Sequence, residues 1–293
     1  MKTISLPATT VVTADNNRFC FAASKTAVSC RHWDRPAEDE QTFQLEAKAL
    51  TLHHDRWLYV GTPVGVTRID FESDDIWASR KLRVSHKAFD VLATDGEHIL
   101  AIDDILMPYF ATLLLHEDDE PKVLAEWTLP DLVNGTYVDA AIRLDANHTG
   151  TVYLLSHETN LGGSNQLVSV HRVEQGKLGP RTFEAAESLG WENNASLLGG
   201  TEFTWWNSLA VTSDGTILVP ASGRGLASIR PELSRHSLPS EPVFDVEVRD
   251  NAIFISIGTE DSPGAIAQLA PTDSGFTIVH SVPMPRGGFR FVH

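Results

Sequence analysis

Hydrophobic and polar residues alternate along most of this chain, in short runs that are separated by polar turns. A period of two is typical of β-strands with one buried face, and no stretch sustains a helical period. One unit recurs: an apolar strand, a turn with Asp and Gly or Asn, a strand rich in β-branched and aromatic residues, a loop of small residues and a third strand. The copies span residues 10–33, 50–71, 89–116, 139–173, 207–231 and 244–271.

The spacing of these copies predicts the architecture. The turn aspartates are Asp15, Asp55, Asp95, Asp145, Asp214 and Asp250. Most are 36–50 residues apart, which is the period of propeller blades, and a further strand-like run follows each copy. We therefore predict an all-β protein: a β-propeller of six four-stranded blades, closed by pairing between strands from the two ends of the chain.

One step breaks the regular spacing. Asp145 and Asp214 are 69 residues apart, and the stretch LGWENNASLLGGTEFTWW lies between them. We interpret residues 189–206 as an insertion between blades four and five, with a degraded seventh blade as the alternative. No domain boundary is visible, so residues 1–293 are predicted to form a single propeller domain. Cys20 and Cys30 flank a predicted hairpin tip, where we expect reduced thiols, with a cross-strand disulfide as the alternative.

The charge of the chain excludes several functions. Its net charge is −16, and it has no block of Lys and Arg with which to neutralise phosphate, so we expect neither nucleic acid nor anionic lipid as a partner. No window is apolar enough for a membrane span and no secretory signal is visible, which favours a cytoplasmic protein. Excess acid instead favours solubility or a basic protein partner.

Candidate metal ligands come from the innermost strands, which begin at the mouth of a propeller's central channel. An oxygen-bearing side chain precedes four of these predicted strands: Asp90, Asp139, Asn207 and Asp245. Oxygen ligands around one opening suit a hard cation such as calcium. In the other interpretation these side chains cap the strands and accept hydrogen bonds from loop N–H groups, and no cofactor is bound.

A local resemblance bears on the calcium interpretation. The stretch WNSLAVTSDGTILV resembles the strand–turn–strand of calcium-dependent lactonase and gluconolactonase propellers. The resemblance implies that Asn207 is a metal ligand, that Asp245 or Asp139 is a second ligand, and that the protein is a metal-dependent hydrolase. It covers about fourteen residues, and the family's N-terminal Glu ligand has no counterpart, because the first copy offers only Thr at that place.

The loops between second and third strands are expected at the same rim of the propeller. They contribute Asp103, Asp104, Glu158, Arg224, Glu260 and Asp261. The predicted insertion adds Trp191, Trp205 and Trp206, which are candidate hot spots for binding or anchors that pack the insertion onto the propeller. Trp57 and Trp127 lie within strands and are expected in the core between blades.

Catalytic motifs are missing from the sequence. It contains no G-x-S-x-G elbow, no phosphate-binding loop and no H-E-x-x-H. The sequence therefore favours a non-enzymatic, protein-binding propeller, of which an inhibitor or immunity-type partner of a basic protein is one specific version. The alternatives are the calcium-dependent hydrolase and a carbohydrate-binding propeller.

Overall fold

The structure is a computed structural model of the chain. It describes residues 11–12, 19–23, 26–32, 41–47, 49–53, 57–72, 75–83, 91–103, 108–117, 120–132, 134–160, 163–189, 208–221, 225–230, 232–236, 238, 243–249, 251–258 and 263–284. Every regular element in these ranges is a β-strand, and the strands form four-stranded antiparallel sheets arranged as a β-propeller. The predicted all-β class and the propeller arrangement of four-stranded sheets are confirmed. The described residues include no helix long and apolar enough to cross a membrane.

Each sheet is built from one continuous stretch of chain, in sequence order. Sheet 1 contains β1 (Val11–Val12), β2 (Phe19–Ala23), β3 (Val28–His32) and β4 (Gln41–Phe43). Sheet 2 contains β5 (Ala49–His53), β6 (Trp57–Thr62), β7 (Gly65–Glu72) and β8 (Asp75–Arg83). Sheet 3 contains β9 (Val91–Thr94), β10 (His98–Asp103), β11 (Phe110–Leu115) and β12 (Lys122–Thr128).

The second half of the chain continues this order. Sheet 4 has the longest strands: β13 (Gly135–Leu144), β14 (Gly150–Asn160), β15 (Gly163–Glu174) and β16 (Lys177–Leu189). Sheet 5 contains β17 (Ala210–Val211), β18 (Ile217–Ala221), β19 (Gly225–Ile229) and β20 (Leu233–His236). Sheet 6 contains β21 (Val243–Arg249), β22 (Ala252–Ile257), β23 (Gly264–Thr272) and β24 (Gly275–Met284). The fourth strand predicted after each copy is present in every sheet.

Hydrophobic clusters join sheets 2 to 6 in series. Trp57 of sheet 2 belongs to the same buried cluster as Ile99 of sheet 3, and Trp127 of sheet 3 belongs to the same cluster as Leu154 of sheet 4. Both tryptophans are buried between blades, as predicted. The remaining clusters join sheet 4 to sheet 5 and sheet 5 to sheet 6. A four-stranded sheet exposes two apolar faces, and stacking against two neighbours buries both of them.

Sheets 4 and 5 are direct neighbours, although the longest step in the sequence lies between them. Leu155 of β14 and Leu209, just before β17, are completely buried in the same cluster. The Arg143 side chain also donates a hydrogen bond to the carbonyl oxygen of Val211. Sheets 4 and 5 therefore pack directly against each other.

Several predictions concern residues outside the described ranges. The expected pairing of the two chain ends involves residues 1–10 and 285–293, and most of the predicted insertion is residues 190–206. The backbone register opposes Cys20 to Arg31 and Cys30 to Phe21, so the two cysteines do not pair directly across β2 and β3.

Candidate functional site

Two of the predicted channel-mouth carboxylates, Asp139 and Asp245, occupy equivalent places in sheets 4 and 6. The innermost strands β13 and β21 begin a few residues before these aspartates, not after them as the sequence suggested. A β-bulge precedes each aspartate, at Tyr137/Asp139 in one strand and at Val243/Asp245 in the other. An unpaired extra residue bends a strand and redirects the side chain that follows it. Both aspartates are buried, with 8% and 1% of their surface exposed.

These carboxylates brace the inner strands. In each strand Oδ1 accepts the N–H of the following residue, at 2.9 Å from Ala140 and at 2.8 Å from Val246. The second oxygen of Asp139 accepts the N–H of Leu209 in the next sheet at 2.7 Å. Ser208 continues the series, because its hydroxyl accepts the Val246 N–H of sheet 6 at 3.2 Å. A short polar connection thus links sheets 4, 5 and 6 at their inner strands.

The calcium site stays a prediction. Asp90 and Asn207 lie outside the described residues, so the four proposed ligands cannot be placed together. Within the described ranges, no three His, Cys, Asp or Glu side chains are grouped closely enough to hold a metal ion. Both Asp139 oxygens accept backbone hydrogen bonds, and one Asp245 oxygen accepts the N–H of Val246.

Two of the residues that the sequence predicts at an acidic rim lie within the described ranges. Asp103 is the last residue of β10, and Glu158 lies near the end of β14, where it opposes Gly135 at the beginning of the innermost strand. Both side chains are half-buried. The other predicted rim residues lie outside the described ranges: Asp104, Arg224, Glu260, Asp261, Trp191, Trp205 and Trp206. Neighbouring His157 is also half-buried, and burial lowers its pKa to about 4.

Sheets 3 and 4 are tied together at their turn tips. The Asp95 carboxylate accepts the N–H of His98 within its own turn at 2.8 Å and the N–H of Leu144 in sheet 4 at 3.0 Å. It also lies 3.1 Å from Nδ1 of His98, whose Nε2 lies 2.8 Å from Nδ1 of His148. Burial raises the pKa of Asp95, but the hydrogen bonds from His98 and from the N–H of Glu97 outweigh it and hold the pKa below its usual value. The polar turn, whose aspartate marks each repeat in the sequence, therefore also links two neighbouring blades.

A buried charged cluster lies between sheets 2 and 3. Arg68 has no exposed surface, and its guanidinium donates to the Asp70 carboxylate at 3.0 Å and to the carbonyl oxygen of Glu117 at 2.7 Å. The Tyr59 hydroxyl is 2.6 Å from Nδ1 of His116. Burial raises the pKa of Tyr59 to about 12, although the hydrogen bond with Arg68 opposes this. Burial lowers the pKa of Arg68, but the hydrogen bonds to Asp70 and Tyr59 prevail and raise it.

An open groove lies between the outer strands of sheets 3 and 4, and the sequence pattern did not predict it. It encloses about 780 Å³ between the end of β12 and the beginning of β16. Trp127 forms part of its wall and donates from Nε1 to the carbonyl oxygen of Gly176 at 2.8 Å. A signal was available in the sequence, because Gly179 and Pro180 interrupt an outer strand, and proline within a strand indicates an edge or a bulge.

Comparisons with known proteins show the fold of this chain and do not show its activity. No family model matches the chain, and no curated protein matches it. Solved structures match it in fold: a chain of the mitotic checkpoint complex has 11% identity and a TM-score of 0.60, with coverage of 97% of this chain and 81% of that one. A putative 6-phosphogluconolactonase from Bacteroides uniformis has 12% identity and a TM-score of 0.59, with coverage of 98% and 89%.

A third match is a named propeller domain. The Cps50 (Swd1) β-propeller domain of Myceliophteria thermophila has 12% identity to this chain and a TM-score of 0.56, with coverage of 99% of this chain and 91% of that one. Identities at this level show a shared fold and nothing about a shared activity.

Proposed function

We propose that this protein is a non-enzymatic β-propeller that binds another protein through its acidic rim. One observation carries the proposal: the inner-strand carboxylates Asp139 and Asp245 are buried and accept backbone hydrogen bonds, so they act as structural braces. A rigid ring that presents variable charged loops is a good platform for recognition. The similarity in fold to a chain of the mitotic checkpoint complex, which is a protein assembly, supports this use of the fold.

The partner that fits best is a basic protein, and inhibition or immunity against it is the specific role that we propose. The net charge of −16 supports this choice. Part of that charge is used structurally, in turns such as those of Asp95 and Asp145. We propose that Asp103 and Glu158, half-buried residues at and near the ends of β10 and β14, contact this partner. Complementary charge across such a surface accelerates association and weakens with salt.

The experiment compares two charge-reversed variants in affinity capture from the native cell, followed by calorimetry with the purified captured protein. The rim variant combines Asp103→Lys with Glu158→Lys. The matched control combines Glu174→Lys with Asp273→Lys, which makes the same charge change at exposed hairpin turns of sheets 4 and 6. We expect the rim variant to bind about tenfold more weakly and the control to bind nearly as the wild type does. Repeated captures without a specific partner, or equal losses in both variants, would overturn the proposal.

We also propose that the ring has six blades. Support comes from six four-stranded sheets and from the direct packing of sheets 4 and 5. The test uses spin-label distances in a Cys20→Ser, Cys30→Ser background. Labels on Thr42 and Ser281, in the outer strands of sheets 1 and 6, should be as far apart as labels on Ser234 and Ser281 in the neighbouring sheets 5 and 6. A much longer first distance would mean that another element separates the two ends of the ring.

A further inference from the structure

The groove between sheets 3 and 4 has a mixed wall. Trp127 and Leu129 from the end of β12 and Leu178 from β16 give it an apolar surface. Trp127 and Leu129 are almost completely buried, at 9% and 2% exposed, so they are fixed in the core and only one side of them borders the groove. Pro130 and Pro180 stiffen the two ends of the wall. Such a surface is preformed, and binding there costs little ordering of the protein.

The charged lining of the groove has a small excess of positive charge, unlike the molecule as a whole. Its charged lining consists of Lys177, Arg181 and Glu126, in a chain with a net charge of −16. Arg181 also pairs with Glu184, which holds its guanidinium beside the groove. Two cations on one wall favour a ligand that carries a carboxylate, because an arginine can receive a carboxylate with two parallel hydrogen bonds.

His171 supplies an unpartnered polar atom. Its side chain is buried with 3% of its surface exposed, and it forms part of the lining of the groove. Nδ1 lies 3.4 Å from the carbonyl oxygen of Gly179, whereas Nε2 is buried without a hydrogen-bond partner. Burial and the charge of Arg181 lower the pKa of His171, so the imidazole is neutral near pH 7. With Nδ1 as the donor, Nε2 is an acceptor that needs an N–H or O–H group.

The backbone at the edge of β12 adds a second polar feature. Among the described strands, β12 has a single neighbour in its sheet, β11. Leu129 donates its N–H to Tyr109 at 2.8 Å, so its backbone faces inward. Because the direction alternates along an antiparallel ladder, the backbone groups of Thr128 face away from β11, toward the groove. An edge strand with outward N–H and C=O groups is a template for an added extended segment.

We propose that this groove binds an extended peptide segment of a partner protein, in which an acidic side chain meets Lys177 and Arg181 and an aliphatic neighbour meets Trp127 and Leu178. The peptide lies beside β12, and one of its N–H groups donates to Nε2 of His171. This proposal rests on the protein-binding function proposed above and gives it a second contact surface, of opposite charge to the rim.

Because the segment is unidentified, the probe is a random peptide library displayed on phage and selected against the whole wild-type protein. We expect enrichment of peptides with Asp or Glu next to an aliphatic residue. Synthetic copies of the enriched peptides are then titrated by fluorescence polarisation against Lys177→Glu, Arg181→Glu. The paired variant should bind them more than about tenfold more weakly. Arg172→Glu, with half the charge change of the paired variant, is the control for charge reversal outside the groove, because Arg172 is exposed on the same hairpin but does not line the groove.

His171→Phe gives an independent check, since it fills the same space and removes Nε2. We expect it to keep or raise the thermal stability of the protein and to weaken peptide binding. The proposal is wrong if nothing is enriched, if enriched peptides bind the paired variant and the control equally, or if His171→Phe leaves their affinity unchanged. The rim experiment is separate: a partner that is lost only with Asp103→Lys, Glu158→Lys would preserve the proposed function while the groove fails.

Discussion

Arg68 shows what a single buried residue demands of its surroundings. Its guanidinium has no exposed surface, and its partners come from both sides of the interface: Asp70 from its own strand and the Glu117 carbonyl oxygen from sheet 3. Removing a charge from water costs several kcal/mol, and only a complete set of partners offsets that cost. Loss of either charge alone should therefore destabilise the protein strongly, whereas loss of both charges together should destabilise it much less.

The first prediction tests this sensitivity. Arg68→Leu leaves the buried Asp70 carboxylate without its ion pair and should lower the free energy of unfolding by about 3–5 kcal/mol. Arg68→Leu with Asp70→Leu should recover most of this loss, because no charge then remains buried. Urea unfolding of the three proteins measures both effects. A double variant as unstable as the single one would show that the charge itself is not the cause.

The stability of the protein should depend on pH through His157. The pKa of His157 is lowered to about 4 in the fold, from 6.5. Above pH 6.5 the imidazole is neutral in both states and contributes no pH dependence. As the pH falls from 6.5 to 4, the unfolded chain takes up the proton and the folded chain does not, so stability decreases.

His157→Asn should remove part of that decrease, about 1–2 kcal/mol after allowance for partial solvent exposure. Urea unfolding at pH 7.5 and pH 4.5 gives the difference for each protein. His280→Asn is the control, because that side chain is exposed on the outer strand β24. If both variants show the wild-type pH dependence, burial of His157 is not its source.

At the scale of elements, polar ties supplement the apolar contacts between sheets. Asp95 joins the turn of sheet 3 to the backbone of Leu144 in sheet 4, whereas Asp214 in the equivalent turn of sheet 5 accepts from Thr216 within its own turn and pairs with Arg230 of its own sheet. The same repeat position thus has a joining role in one blade and a local role in another. The difference depends on what the neighbouring sheet presents, which the repeat pattern does not contain.

The third prediction compares these two turns. Asp95→Ala removes a joint as well as a turn and should lower the free energy of unfolding by about 2–3 kcal/mol. Asp214→Ala should have a smaller effect, since its hydrogen bonds stay within one sheet. Thermal and urea unfolding of both variants measure the difference. Equal losses would mean that Asp95 acts only within its turn.

At the scale of the whole molecule, the sequence predicted the repeated strands and sheets better than the contacts between sheets. Alternation and turn aspartates were sufficient for the strands, the sheets and the buried positions of Trp57 and Trp127. They did not predict that Leu209 donates a hydrogen bond to Asp139, and they did not predict the groove beside Trp127. Both features depend on how separate sheets pack against each other. Local pattern records which face of a strand is apolar, and it does not record the side chains of the next blade.

The fourth prediction concerns the channel mouth, where the sheets converge. Calorimetric titration with calcium up to millimolar concentration should show no saturable binding to the wild type, because both Asp139 oxygens accept backbone hydrogen bonds. Asn207→Ala is measured in parallel. Saturable binding that is lost in Asn207→Ala would instead support the calcium-dependent hydrolase.

The short inner strand of sheet 5 has a consequence for the order of folding. β17 has only two residues, and the chain beside it is held by Asp139 of sheet 4 and by the contact of Ser208 with sheet 6. Besides its pairing with β18, this strand and the two residues before it depend on contacts with both neighbouring sheets. A contact between residues far apart in the sequence first loses the conformational entropy of the loop that it closes, and only then gains stabilising interactions. We therefore expect sheet 5 to be completed late, with its inner strand joining the ring after sheets 4 and 6 have formed.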